Sequence, residues 1–125
     1  MDRKELLKAL VEMREPISGL LDQLHKFGWD SEQPLVTITP QHVIMVLTKY
    51  VDGHIESGVV QEWADLIHVR DDIDLDPMHE QSLRGALHEL ANPYLVQPLT
   101  VSSARRLIEK LETRKYRSNK GQQLS

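Results

Sequence analysis

The chain has 125 residues, enough for one domain with a buried core and too few for two. Its apolar fraction of 40%, with 27% charged residues, is that of a folded protein rather than a disordered one. There is no cysteine, which excludes disulfides, thiolate nucleophiles and cysteine-ligated zinc. The net charge of −4 conceals an asymmetry. Between Val51 and Pro93 ten acids face only Arg70 and Arg84, a local charge of −8, whereas Arg105 to Lys120 holds seven bases against Glu109 and Glu112, or +5. An acidic middle disfavours nucleic acid as a partner and favours a basic protein.

The opening stretch MDRKELLKALVEMRE is charged throughout and lacks the apolar run of a signal peptide. No segment approaches the roughly 20 apolar residues that cross a bilayer. The expected location is the cytoplasm, with no membrane partner.

Asp2 with Glu5 makes a capping box for a first helix bearing Leu6, Leu7, Leu10, Val11 and Met13. The apolar spacing resumes at Ile17, Leu20, Leu21, Leu24 and Phe27. Either two helices meet at Glu15-Pro16 or one helix bends there, and Gly28 ends the run. Residues 29–39 read as a loop. Leu35 to Ile38 resembles a short strand, but with no second strand pattern to pair with it the segment is expected to be extended chain.

Thr39-Pro40 starts the next helix with a cap and a proline at its first position. The run Val43 to Val51 is apolar on most sides, so this helix is expected to be central and largely buried, or in part a dimer seam. Asp52-Gly53 stops it. Ser57 is expected to cap a helix carrying Val59, Val60, Trp63, Leu66 and Ile67 on one face. After the acidic run RDDIDLD, Asp76-Pro77 restarts a helix with Met78, Leu83, Ala86, Leu87, Leu90 and Ala91, ended by Asn92-Pro93. Tyr94 to Leu99 is a connector, and Thr100 caps a last helix bearing Val101, Ala104, Leu107, Ile108 and Leu111. No internal repeat is evident. The expectation is an all-α domain over residues 1–113, a compact bundle or orthogonal array of five to six short helices, followed by a basic polar tail over 114–125.

Asp72, Asp74 and Asp76 alternate as the ligands of a calcium-binding loop do. The required glycine at the sixth position is Pro77, however, and the required glutamate at the twelfth is Leu83. His54, His68, His79 and His88 form no pair with metal-ligand spacing on one helix face. Ser57, Ser82, Ser102 and Ser103 lack a nucleophile-elbow context, and no phosphate-cradling glycine loop is present. The reading is therefore non-enzymatic, without metal or cofactor. A helix-turn-helix drawn over residues 40–69 would present Gln61, Glu62 and Asp65 to phosphates, with no base before Arg70. Trp63 reads as a core anchor. Trp29 is the better candidate for a contact residue, although burial is the default expectation for it and for Tyr94.

The run Tyr50-Val51-Asp52-Gly53-His54-Ile55, with Val60, Glu62-Trp63-Ala64, Arg70-Asp71-Asp72-Ile73, Leu90-Ala91-Asn92-Pro93 and Pro98-Leu99-Thr100, resembles small bacterial helical toxin-immunity proteins of the colicin-like and contact-dependent-inhibition kinds. The resemblance spans roughly residues 43–111. It implies a protein with no catalytic task that binds a toxin domain, commonly a basic nuclease, and covers its working surface. The residues expected to carry this are Asp65, Asp71, Asp72, Asp74 and Asp76, with Glu62 and Glu80 at the edges, forming one acidic face at the joint between the two middle helices. The alternative is a small regulator that touches nucleic acid through Arg105, Arg106, Arg114, Lys115 and Arg117. Either monomer or homodimer fits.

Overall fold

The structure, a computed structural model, describes residues 3–14, 17–24, 35–70 and 73–124, with side chains of the final helix described as far as Glu112. The fold is all-α: six helices among these residues, joined by one small parallel sheet. Helix α1 (Arg3–Val11) buries Leu6, Leu7, Ala9, Leu10 and Val11. It closes through Met13, whose φ of 48° is left-handed, with Arg14 N–H donating to the Ala9 carbonyl at 3.0 Å. Two distant side chains satisfy further carbonyls at this end. Trp63 Nε1 donates to Leu10 at 2.8 Å, and Lys49 Nζ donates to Met13 at 3.1 Å. Helix α2 (Ile17–Leu24) is separate, so of the two alternatives the two-helix one holds. Asp2, the Glu15-Pro16 junction, Gly28 and Trp29 lie outside the described residues.

The extended segment is a strand after all. β1 (Val36–Ile38) runs parallel to β2 (Ile73–Leu75), with Val36 opposite Ile73, Thr37 opposite Asp74 and Ile38 opposite Leu75. The partner is hidden inside the acidic run, where Ile73 and Leu75 flank Asp74 at the period of a strand but over only three residues. The ladder continues into the caps, since Asp76 N–H donates to the Ile38 carbonyl at 2.9 Å. This pairing also uncovers a repeat. Val36-Thr37-Ile38-Thr39-Pro40-Gln41-His42 matches Ile73-Asp74-Leu75-Asp76-Pro77-Met78-His79 position for position: strand, cap, proline, any residue, histidine. Only the proline and the histidine are identical, which is why the sequence alone conceals it.

Each motif leads into two helices. After the first come α3 (Pro40–Val51) and α4 (Ser57–Val69); after the second, a single 3₁₀ turn (Pro77–His79), α5 (Glu80–Ala91) and α6 (Val101–Leu124). Packing is crossed: α3 lies mainly on α6, and α4 mainly on α5. α3 buries Val43, Val46 and Leu47 but leaves Ile44, Met45, Tyr50 and Val51 half-covered, so it is less enclosed than its composition suggests. It stops at Gly53, whose φ of 82° a side chain would strain. The cap of α4 is Glu56 rather than Ser57, because Val59 and Val60 N–H groups reach the Glu56 carbonyl at 3.0 and 3.3 Å. Met78 is 81% exposed rather than part of the core, because it sits in the 3₁₀ turn, out of phase with the buried face of α5. Before α6, Thr100 and Ser103 bond reciprocally. Thr100 N–H donates to Ser103 Oγ at 2.8 Å and Ser103 N–H to Thr100 Oγ1 at 3.1 Å. The core joins all six helices and Ile38 around Trp63, which is fully buried.

Candidate functional site

The expected acidic residues divide into two groups. Glu62 and Asp65 are exposed on α4, on the side away from buried Val60, Trp63, Ala64 and Ile67. Asp52 and Glu56, just before the helix, are exposed as well. From Asp52 to Leu66 the chain holds these four acids and no lysine or arginine, and among the described residues no ion pair engages any of the four. Among the described residues their charge is therefore unpaired, and it projects into solvent.

The acids at the joint are differently placed. Asp76 is a structural cap: its carboxylate accepts the Met78 N–H at 3.1 Å and the His79 ring Nδ1–H at 3.1 Å. The His79 hydrogen bond, then that from Met78, holds its carboxyl below the ordinary range. Glu80 accepts from Arg84 Nη2 at 2.8 Å, one helical turn on. Asp74 is exposed but shares a groove of 290 Å³ with Arg70, Arg84 and His68. Asp71 and Asp72 lie outside the described residues. The joint thus brings its own cations to its own acids, while the acidic stripe of α4 carries none.

A second feature was missed. Tyr94, Leu95 and Val96 are 94%, 76% and 46% exposed, so the expectation of a buried Tyr94 fails. Beyond Ala91 the chain turns outward, with the Leu95 and Val96 N–H groups on the Asn92 carbonyl at 3.0 and 3.2 Å. Gln97 Nε2 donates to Glu89 at 3.2 Å, and the Tyr50 hydroxyl donates to the Leu99 carbonyl at 3.3 Å. Between this connector and the first turns of α4 lies a groove of 240 Å³, lined by Ser57, Gly58 and Gln61 on one side and by Leu90, Tyr94 and Leu99 on the other. The sequence signal was an apolar Tyr-Leu-Val run between two prolines with no helical phase to direct it inward.

Other candidates are dispersed. Among the described residues no group of three or more His, Asp or Glu side chains is arranged to hold a metal ion. His54, His68 and His88 are exposed, the last two with ring centroids 6.5 Å apart. Ser103 is buried within the α6 cap. Of the basic residues considered, Arg105 is exposed and Arg106 approaches Glu89 at 3.7 Å; the side chains of Arg114, Lys115 and Arg117 lie outside those described. No helix among the described residues is long and apolar enough to cross a membrane.

No family model, curated protein or solved structure matches this chain. Its function must be argued from the surface it presents.

Proposed function

We propose that this chain is a non-enzymatic, cytoplasmic protein-binding module whose α4 face meets a basic partner. The specific role we propose is that of an immunity protein that covers a basic bacterial toxin domain. The observation that carries the reading is the run of four exposed acids, Asp52, Glu56, Glu62 and Asp65, with no ion pair among the described residues and no lysine or arginine between them. Uncompensated charge of one sign steers encounter with a partner of the other sign and complements a lysine-rich cleft. Of the acids first expected to act, Glu62 and Asp65 are central to this reading and Asp74 is peripheral. Asp76 and Glu80 serve local structure.

The residues behind the family resemblance support the scaffold rather than the contact. Trp63 is core, Gly53 and Asn92 end helices, Thr100 caps α6, and Tyr50 braces the connector. The toxin assignment therefore rests on charge, and charge supplies its test. Titrating the protein with basic nuclease toxin domains at 50, 150 and 500 mM salt (on the order of a threefold change in screening length) should give association that slows as salt rises. The Glu62→Gln/Asp65→Asn double variant should associate about tenfold more slowly at low salt, with thermal stability unchanged. Salt-independent binding, or full binding by that variant, would refute the reading. Retention of the protein on heparin at physiological salt would instead favour the nucleic-acid regulator.

A further inference from the structure

We propose that the groove between the start of α4 and the 93–99 connector is a socket for one large apolar side chain, carried on a lysine- or arginine-rich segment of the protein partner. The inference rests on the protein-binding reading above and adds an anchor to it. Gly58, Gln61, Glu62 and Asp65 stand at i, i+3, i+4 and i+7, so they share one stripe of α4. Gly58 and Gln61 form one wall of the groove, and Glu62 and Asp65 continue the same stripe beyond it, exposed. The opposite wall and rim are largely apolar and carry no charge: residues 93–100 include no Asp, Glu, His, Lys or Arg, and Tyr94 stands 94% exposed at the edge.

Charge complementarity identifies the occupant. A segment entering this groove meets Glu56 at one end of the α4 wall and Glu62 at the other. The cations next along the chain are Arg105 and Arg106 in α6, and Arg106 already faces Glu89. An acidic segment is repelled along the whole helical wall; a basic one is attracted. The size is also informative. At 240 Å³ the groove falls below the roughly 300–1,000 Å³ of pockets for drug-sized ligands, and suits a single leucine or aromatic side chain. The combination of an apolar groove, an exposed tyrosine at its edge and acids flanking it on the α4 side is the anatomy of an energetically dominant contact.

Gly58 makes the test clean. A Cβ added there meets nothing within 4 Å, and its φ is not in the left-handed range, so Gly58→Leu places a bulky side chain on the groove wall without a clash at Cβ or backbone strain. The probes are three 12-residue synthetic peptides. One carries a phenylalanine flanked by lysines, one the same phenylalanine flanked by glutamates, and one serine in place of phenylalanine between lysines. Amide chemical shifts of the full chain are followed by NMR during titration. The lysine–phenylalanine peptide should move Gly58, Gln61, Tyr94 and Leu99, at least tenfold more tightly than either of the others. Gly58→Leu should abolish those shifts with unfolding temperature unchanged or raised, and Tyr94→Ser should weaken them.

Equal binding by the glutamate or serine peptide, retention in Gly58→Leu, or no shifts at these residues overturns the proposal. So does concentration-dependent self-association that Gly58→Leu removes, which would assign the groove to a second copy of the chain. If Glu62→Gln/Asp65→Asn slows toxin association while Gly58→Leu does not, the protein-binding reading survives and the socket does not.

Discussion

His42 and His79 occupy equivalent places in the two strand–cap motifs, yet each must hold its proton differently. His42 Nδ1 accepts the Thr39 N–H at 2.9 Å, so that nitrogen must keep its lone pair. His79 Nδ1 faces the Asp76 carboxylate at 3.1 Å, so it must carry the hydrogen. Protonating His42 deprives the first amide of the α3 cap of its acceptor, whereas protonating His79 leaves its bond intact. Burial lowers the His42 pKa below its ordinary 6.5, and the Glu12 carboxylate, itself bonded to Arg14 at 2.9 Å, opposes this in part. The unfolded chain therefore binds the proton more readily than the folded one. The contribution of His42 to stability is complete above pH 6.5 and is lost as pH falls through the lower folded value. The expected outcome is a urea midpoint that declines from pH 7 to 5 in the wild type, with the pH dependence largely removed in His42→Gln, whose side-chain oxygen replaces the acceptor without titrating. His42→Ala should cost about 1 kcal/mol at pH 7, the usual value of a helix cap. An unchanged slope in His42→Gln would show that another group governs this range. Asp76 runs the same sign in a different window: its lowered carboxyl keeps its cap above the ordinary 3.8 and loses it only in more acidic solution.

At the scale of elements, helices announced themselves through their ends. Thr39-Pro40, Asp52-Gly53, Asn92-Pro93 and Thr100 each combine a residue type with a backbone demand that few alternatives meet, and each marks a helix boundary. The strands did not, for a physical reason. Three residues give a period-2 pattern only one full cycle, and β2 draws its partner from 37 positions earlier, beyond any local signal. Ile38, fully buried in β1, joins the sheet to the helical core, and its carbonyl oxygen accepts the Asp76 N–H. Ile38→Ala should therefore cost about 2–5 kcal/mol, as a buried aliphatic truncation does. Hydrogen exchange adds a sharper readout. The Asp76 amide should lose protection in this variant well before amides in the middle of α6, because the ladder bond across the two motifs fails first. Equal loss at both places would mean that the sheet is no separate element of stability.

Beyond α1 and α2, the molecule is two interlocked strand–helix–helix units. If each strand–helix–helix unit folded on itself, α3 would pack on α4 and α5 on α6; instead α3 packs mainly on α6 and α4 on α5. The candidate site follows from this crossing, since the groove forms where α4 of one half meets the connector of the other. Sequence alone showed the charge of that surface, because charge is local: Glu62 and Asp65 stand on the polar side of a periodic helix. It did not show the groove, which exists only once Gly58 and Tyr94 are brought together across 36 residues of chain. Nor did it show that Asp76 and Glu80 have hydrogen-bond partners of their own, His79 and Arg84, within the next turn. The crossing carries a consequence for folding. A fragment of residues 1–70 retains the bond between Trp63 and Leu10 but leaves α4 without α5 and α3 without α6, so the buried residues of both helices lose their main facing elements. At roughly 25 cal/mol per Å² of exposed apolar surface, losing both facing helices removes more stability than a small domain possesses. Fragments 1–70 and 71–125 should each show a broad, non-cooperative thermal transition alone, and on mixing should regain one cooperative transition together with the blue-shifted fluorescence of a buried tryptophan. A fragment 1–70 that melts cooperatively by itself would mean that α4 needs no α5, and that the groove is built between independent units rather than by their interlocking.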